Sequence, residues 1–166
     1  MDVVERFAAE VQQFAAWARA GTDSGAVAAR NGLLHLARLH LFALELPASA
    51  GRTGEDLPDA RVDDAEWKSV FANAARLPFN FYGEVFDPLP VPAEESVVAS
   101  LADDIADIYR DVVTGLRHYQ AERCDEALWQ WAFSLQAHWG EHITGAIRAL
   151  HCWLAANDPS RLSAET

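Results

Sequence analysis

The stretch DEALWQWAFSLQAHWGEHITGAIRALHCWLA, residues 125–155, decides the fold. It contains no proline, and its apolar residues recur at spacings of three and four, the period of a helix face. Wound as one helix, Trp131, Leu135, Ala149 and Trp153 fall on or near one stripe. Gln130, Ser134, Glu141, Thr144 and Arg148 make the polar side. Asn157-Asp158-Pro159 closes the helix.

The same period runs through the rest of the chain. A first helix is predicted over 2–20, with Asp2 as N-cap and Gly21 as stop; its stripe is Val3, Phe7, Val11, Phe14 and Ala18. A second is predicted over 23–46, capped by Asp23 or Ser24 and ended by Pro47. A polar loop with Gly51, Gly54 and Pro58 follows over 47–62. A short helix over 64–76 then carries Trp67, Val70, Phe71 and Ala74 on one side. A further helix is predicted over 96–120, with an alternative start four residues later because Ser100 and Asp103 have capping-box spacing. Between them, residues 77–93 hold four prolines and four aromatics. Prolines forbid a regular helix and the aromatics forbid a solvated linker, so this is an ordered loop over the bundle, structural cover or lid. No strand-like alternation and no repeat is evident. The expected fold is all-α: one bundle domain over 1–159 of four long helices and one short one, with a frayed polar tail at 160–166.

Composition limits function. The 166 residues are 51% hydrophobic with six tryptophans, which excludes a disordered chain. A net charge of −12 argues against nucleic acid and against an anionic membrane surface, both of which need clustered Lys and Arg. No apolar run reaches the roughly 18 residues of a membrane span. The acidic N-terminus lacks the features of a signal peptide. Cys124 and Cys152 read as reduced thiols. A cytoplasmic location is expected.

Within the last helix, His138-Trp139-Gly140-Glu141-His142 places two imidazoles about 40° apart on one face, towards the bundle interior or its edge. That spacing suits a divalent metal, Zn²⁺ or Mg²⁺. It suits equally well two histidines satisfied by carboxylates of a facing helix. Two ligands are too few for catalytic zinc. His40, among apolar residues of the second helix, is the best third ligand, and Glu141 is the candidate base. One histidine on the second helix with a His-x-x-x-His on the last resembles the metal-binding DinB-like four-helix bundles. The letters also match the inverted zinc-protease motif, but only Glu165 follows as a downstream acid, so that reading is rejected. Gly140, in a helix interior, marks close approach of another element.

A second constellation is acidic. Asp103, Asp104, Asp107 and Asp111 span about 100° of one helix. Such carboxylates can collect Mg²⁺, and the pattern weakly resembles isoprenoid synthases and all-α nucleotide pyrophosphatases. The simpler expectation is a solvated acidic face. If the last two helices form an antiparallel hairpin, residue 107 lies near 138 and 103 near 142. Asp107 or Asp104 could then orient His138 or His142 through an Nδ1–H bond.

Ser100-Leu101-Ala102-Asp103-Asp104-Ile105-Ala106-Asp107-Ile108-Tyr109-Arg110-Asp111, with Trp129-x-Trp131-x-Phe133, His138-Trp139-Gly140-x-His142 and Ala149-Leu150-His151, resembles a bacterial family of small helical proteins classed as a domain of unknown function. The resemblance implies a helical domain and no activity. The expected function is a non-catalytic binding module for a protein or small molecule, with a homodimer as the candidate assembly and Phe79, Phe81, Tyr82 and Phe86 as contact surface. The alternative is a metal-dependent hydrolase built on His138, His142 and His40, with Asp103, Asp104 and Asp107 as supporting or alternative ligands.

Overall fold

Asp2 accepts a hydrogen bond from the Glu5 amide at 2.8 Å, and Glu5 accepts one from the Asp2 amide at 3.0 Å. This capping box opens α1 (Val3–Ala20) in the computed structural model, which describes residues 2–21, 24–49, 51 and 60–158. Phe7, Val11, Phe14 and Ala18 of the predicted stripe are buried. The second helix, α2 (Ala26–Leu44), begins three residues after the predicted start and packs on α1; Asp23, one of its two expected caps, lies outside the described residues. So do Gly54, Pro58 and the expected tail at 160–166. The short helix α3 (Asp64–Ala74) is capped by Asp63, whose carboxylate accepts from the Glu66 amide at 2.8 Å.

The segment expected to be loop contains strand. Phe81–Glu84 (β1) pairs antiparallel with Val97–Ser100 (β2), Phe81 opposite Ser100 and Glu84 opposite Val97. Four residues per strand are too few to show an alternation, and Gly83 interrupts the apolar pattern, so the period-two signal is absent. The β-branched Val97 and Val98 go to the strand, and the next helix, α4 (Leu101–Gln120), takes the later of its two predicted starts. Ser100 Oγ accepts from the Asp103 amide at 3.3 Å and caps it. Asn80 ties the junction together: its carbonyl accepts from the Leu101 amide at 2.7 Å, and its side-chain oxygen from the Ala102 amide at 2.9 Å.

The long helix read over 125–155 is broken. It consists of α5 (Cys124–Ser134), a π-helical turn (Leu135–Trp139) and α6 (Gly140–Asn157). The core-facing series along it is Ala127, Trp131 and Ser134, then Trp139, Ile143, Ala146 and Leu150, with Gly145 and Ala149 also buried on its flanks. Every step is three or four except the step of five across the π turn. One extra residue there keeps two core-facing segments in register, which a single helical wheel could not represent.

The central helix is α4, packed against α1, α3, α5 and α6, while α2 packs on α1 and α6. Trp131 locks α5 to this centre. Its Nε1 donates to Val112 O at 2.9 Å, and its ring meets Phe7 edge-on at 4.9 Å. Gly115 makes room for it, since a Cβ there would stand 2.2 Å from Trp131 Nε1. Both cysteines are free and exposed. No helix among the described residues is long and apolar enough to cross a membrane.

Candidate metal centre

The aspartates of α4 are not a solvated face. Asp104 is 4% exposed and Asp107 9%, because α3 covers one flank of α4 and the α5–α6 segment the other. Buried carboxylates need donors, and each has its own set. Asp107 Oδ1 accepts from Trp67 Nε1 at 2.7 Å and from Arg110 at 2.7 Å. Asp104 Oδ2 accepts from the Tyr82 hydroxyl at 2.9 Å.

The histidine pair enters this cleft from α6 and the π turn. His142 Nδ1 lies 2.8 Å from Asp104 Oδ1, and His138 Nδ1 lies 2.8 Å from Asp111 Oδ2. The rings stand edge-to-face with centroids 4.8 Å apart. Both Nε2 atoms then look onto one acceptor: Asp107 Oδ2 is 3.8 Å from His138 Nε2 and 3.8 Å from His142 Nε2. An ionised carboxylate only accepts, so in the neutral imidazoles the proton is on Nδ1 and the lone pair on Nε2. That is the tautomer a metal-binding histidine needs, held by the carboxylate–histidine contacts that normally support such ligands. Asp107, His138 and His142 thus form a group able to hold a metal ion, one atom from each lying within 4.8 Å of the others. Around a tetrahedral zinc, ligand atoms stand about 3.3 Å apart, so each histidine–carboxylate spacing of 3.8 Å would close by about half an ångström.

The same contacts set the electrostatics. The hydrogen bond to Asp104 holds the His142 imidazole above its ordinary pKa, against the opposing effect of burial; Asp107 and Asp103 add to the rise. Burial raises the Asp111 carboxyl, with the bond to His138 opposing. Burial, then the neighbouring Asp107 and Asp104, raises Asp103. Burial first, and then Asp104 and Glu84, pushes the Tyr82 phenol far up, so it remains a donor.

Two cavities flank the pair, one beside each histidine. On the His142 side, about 440 Å³ is bounded by Asp103, Asp104, Glu141, Tyr82 and Phe86, among others. On the His138 side, about 290 Å³ is bounded by Asp111, Thr114, His118, Trp129 and others. His138 is 40% exposed and His142 23%, so a ligand in either cavity can reach the imidazole edge.

The other expected residues lie at different distances from this group. His40 does not join the group; it sits on α2, which packs on α1 and α6, and burial lowers its pKa. The arrangement therefore parts from the DinB-like pattern: the third candidate ligand is a carboxylate of α4. Glu141 is exposed on the groove rim, and its side chain makes no hydrogen bond among the described residues. Asp103 also borders the groove and does not meet a ring nitrogen, whereas Asp104 takes the orienting role expected of it. Asp107 faces the Nε2 atoms instead of Nδ1. The partner of His138 is Asp111, which lies one helical turn beyond Asp107 on the same face; that spacing was the available signal. Of the expected contact surface, Phe81 and Phe86 are exposed. Phe79 stacks on Trp153 at 6.2 Å, and Tyr82 is committed to Asp104. Gly140 does mark a close approach, but to its own chain: a Cβ would lie 2.2 Å from the Leu135 carbonyl oxygen. Gly145 is where the β1 strand seats. A Cβ there would stand 2.2 Å from Glu84 Oε2 and 2.6 Å from the Tyr82 hydroxyl.

The chain belongs to the family described as Domain of unknown function (DUF5063), whose model matches residues 1–156. This agrees with the resemblance carried by the Ser100–Asp111 and His138–His142 blocks. Its fold is similar to the crystal structure of protein BF1032 from Bacteroides fragilis, with a TM-score of 0.69 and 22% identity, over 91% of this chain and 94% of that one. At that identity the likeness concerns the fold alone. No curated protein matches the chain.

Proposed function

We propose that this DUF5063 member binds one divalent first-row transition-metal ion through His138 Nε2, His142 Nε2 and Asp107 Oδ2, and that its chemistry is hydrolytic. The observation carrying this reading is the convergence of two Nε2 atoms, each 3.8 Å away, on a single carboxylate oxygen whose partner oxygen is already engaged. A histidine that only satisfies a buried carboxylate needs one such contact, and both Nδ1 atoms already make one, yet the Nε2 atoms also face Asp107. Two imidazoles with one carboxylate favour Zn²⁺ and its neighbours over Mg²⁺, which prefers oxygen ligands. Three protein ligands leave room for water or substrate, and a bound ion would bring water towards neutral acidity.

The protein's own groups divide the remaining work. Asp104 and Asp111 hold the rings and raise their basicity. Trp67 and Arg110 fix the rotamer of Asp107 through Oδ1. Glu141 and Asp103, on the groove beside His142, are the carboxylates placed to take a proton from water. The test is metal analysis of untagged protein, with Co²⁺ as a spectroscopic substitute. About one ion per chain in the native protein, lost in His138→Ala, is the expected result. Absence of stoichiometric uptake by the metal-depleted native protein would sink the reading.

A pH dependence follows for the metal-free protein. His142 has a folded-state pKa above its ordinary 6.5. The stability its pair with Asp104 contributes is complete below about pH 6.5 and is lost as pH rises through the folded value. Thermal unfolding from pH 5 to 9 is expected to show native protein and His142→Asn drawing together as pH increases. A gap that is constant with pH would refute this.

A further inference from the structure

Resting on that ion-site reading, we propose that the π turn Leu135–Trp139, fixed by Gly140, is the positioning element of the site. It sets His138 at the groove edge and gives it Asp111 as partner.

The argument begins with register. Upstream of the turn the core positions are Ala127, Trp131 and Ser134. Continued at helical spacing, that series next turns position 138 inward and leaves Trp139 at the side. The protein does the opposite: Trp139 is fully buried and His138 is 40% exposed. One added residue turns the following segment by about 100°, the angular step of a helical residue. That turn moves both imidazoles from the core-facing stripe to the flank on which the aspartates of α4 meet them.

The second observation is where the imidazoles end. They are four residues apart, yet their Nδ1 partners, Asp104 and Asp111, are seven apart on α4, about 10.5 Å along its axis. Asp107 lies between these two carboxylates and faces both Nε2 atoms. His138 belongs to the π turn and His142 to α6, so the two rings are presented by different local geometries. They diverge enough to straddle Asp107.

The third observation is what maintains the turn. The wider π loop brings the Leu135 carbonyl over residue 140, where a Cβ would stand 2.2 Å from that oxygen. Backbone cannot move aside as a flexible side chain can. Glycine at 140 is therefore a requirement of the π turn, although within an α-helix it costs up to about 1 kcal/mol against alanine. A π turn of this kind commonly accompanies a functional site, because the insertion re-aims side chains without disturbing the helices on either side.

The experiment removes the inserted residue. Gln136 is exposed within the π turn, and deleting it shortens the core step from Ser134 to Trp139 to four, an ordinary helical interval. Deletion of Gln136 is expected to keep the melting temperature at or above the native value while weakening Co²⁺ binding at least tenfold, with a changed visible spectrum. Gly140→Ala is expected to lose the ion as well, but with a lowered melting temperature. In metal-free protein, imidazole ¹⁵N resonances are expected to show His138 as the Nδ1–H tautomer in the native chain and as a mixture after the deletion. Native Co²⁺ affinity and an unchanged His138 tautomer in the deletion variant would overturn the proposal. The tautomer measurement stands without any ion. A native chain that binds no metal but whose His138 tautomer is lost on deletion would sink the ion-site reading and leave the positioning role intact.

Discussion

Asp107→Asn is expected to abolish divalent-ion binding while the bundle stays folded. The substitution preserves shape and leaves an oxygen for Trp67 Nε1, which donates to Asp107 Oδ1 at 2.7 Å. The other terminal atom becomes an amide nitrogen with two hydrogens. Where the native Oδ2 faces two Nε2 lone pairs, the amide donates to them and satisfies both imidazoles without a ligand atom to offer. Loss of a supporting partner of a metal ligand typically lowers affinity about 10–100-fold, and loss of a ligand should exceed that range. Stability should fall by only about 1–2 kcal/mol, from weaker bonds to Trp67 and Arg110. Titration calorimetry with Zn²⁺, beside a denaturant melt, separates the two effects. Binding within threefold of native would remove Asp107 from the ligand set.

The largest loss of stability is expected from Trp131→Ala, about 3–5 kcal/mol by chemical denaturation. Trp131 is fully buried, edge-on to Phe7 of α1 and against Gly115 of α4. Truncation empties the space that Gly115 leaves, and it strips Val112 O of the Nε1 donor at 2.9 Å. Three helices converge on this ring, so there is little freedom for the cavity to collapse. Ion binding should weaken too, because the pairing of α4 with the α5–α6 segment aligns aspartates with imidazoles. A cost under 1 kcal/mol would mean that the site relaxes around the void far more than its packing suggests.

Much of this was legible from residue spacing, and the failures have physical causes. The buried stripe Phe7, Val11, Phe14 and Ala18 stands at three- and four-residue intervals, and burial follows it directly. The Asp2 cap acts where expected because a short acceptor before an apolar run has few other uses. An antiparallel hairpin of the last two helices correctly brought the aspartates to the histidines. A uniform helical wheel then misjudged which carboxylate meets which nitrogen, because one inserted residue changes the phase partway along. Intrinsic propensity contains no signal for that insertion apart from the misplaced-looking Gly140. His40 was favoured for its apolar company, but that company reflects packing between α2, α1 and α6. The aspartates read as solvated because a charge run says nothing of what covers it. Here the cover comes from Trp67 of α3 and Tyr82 of β1, both remote in sequence.

The bare Cα of Gly145 couples a position on α6 to two on the strand β1. The hydroxyl of Tyr82 and the carboxylate of Glu84 fill the volume that a methyl group would claim at 145. Tyr82 in turn holds Asp104, and Asp104 holds His142. A side chain at 145 would have to push the Tyr82 hydroxyl and the Glu84 carboxylate aside, and moving Tyr82 would take from Asp104 the donor that stands behind His142.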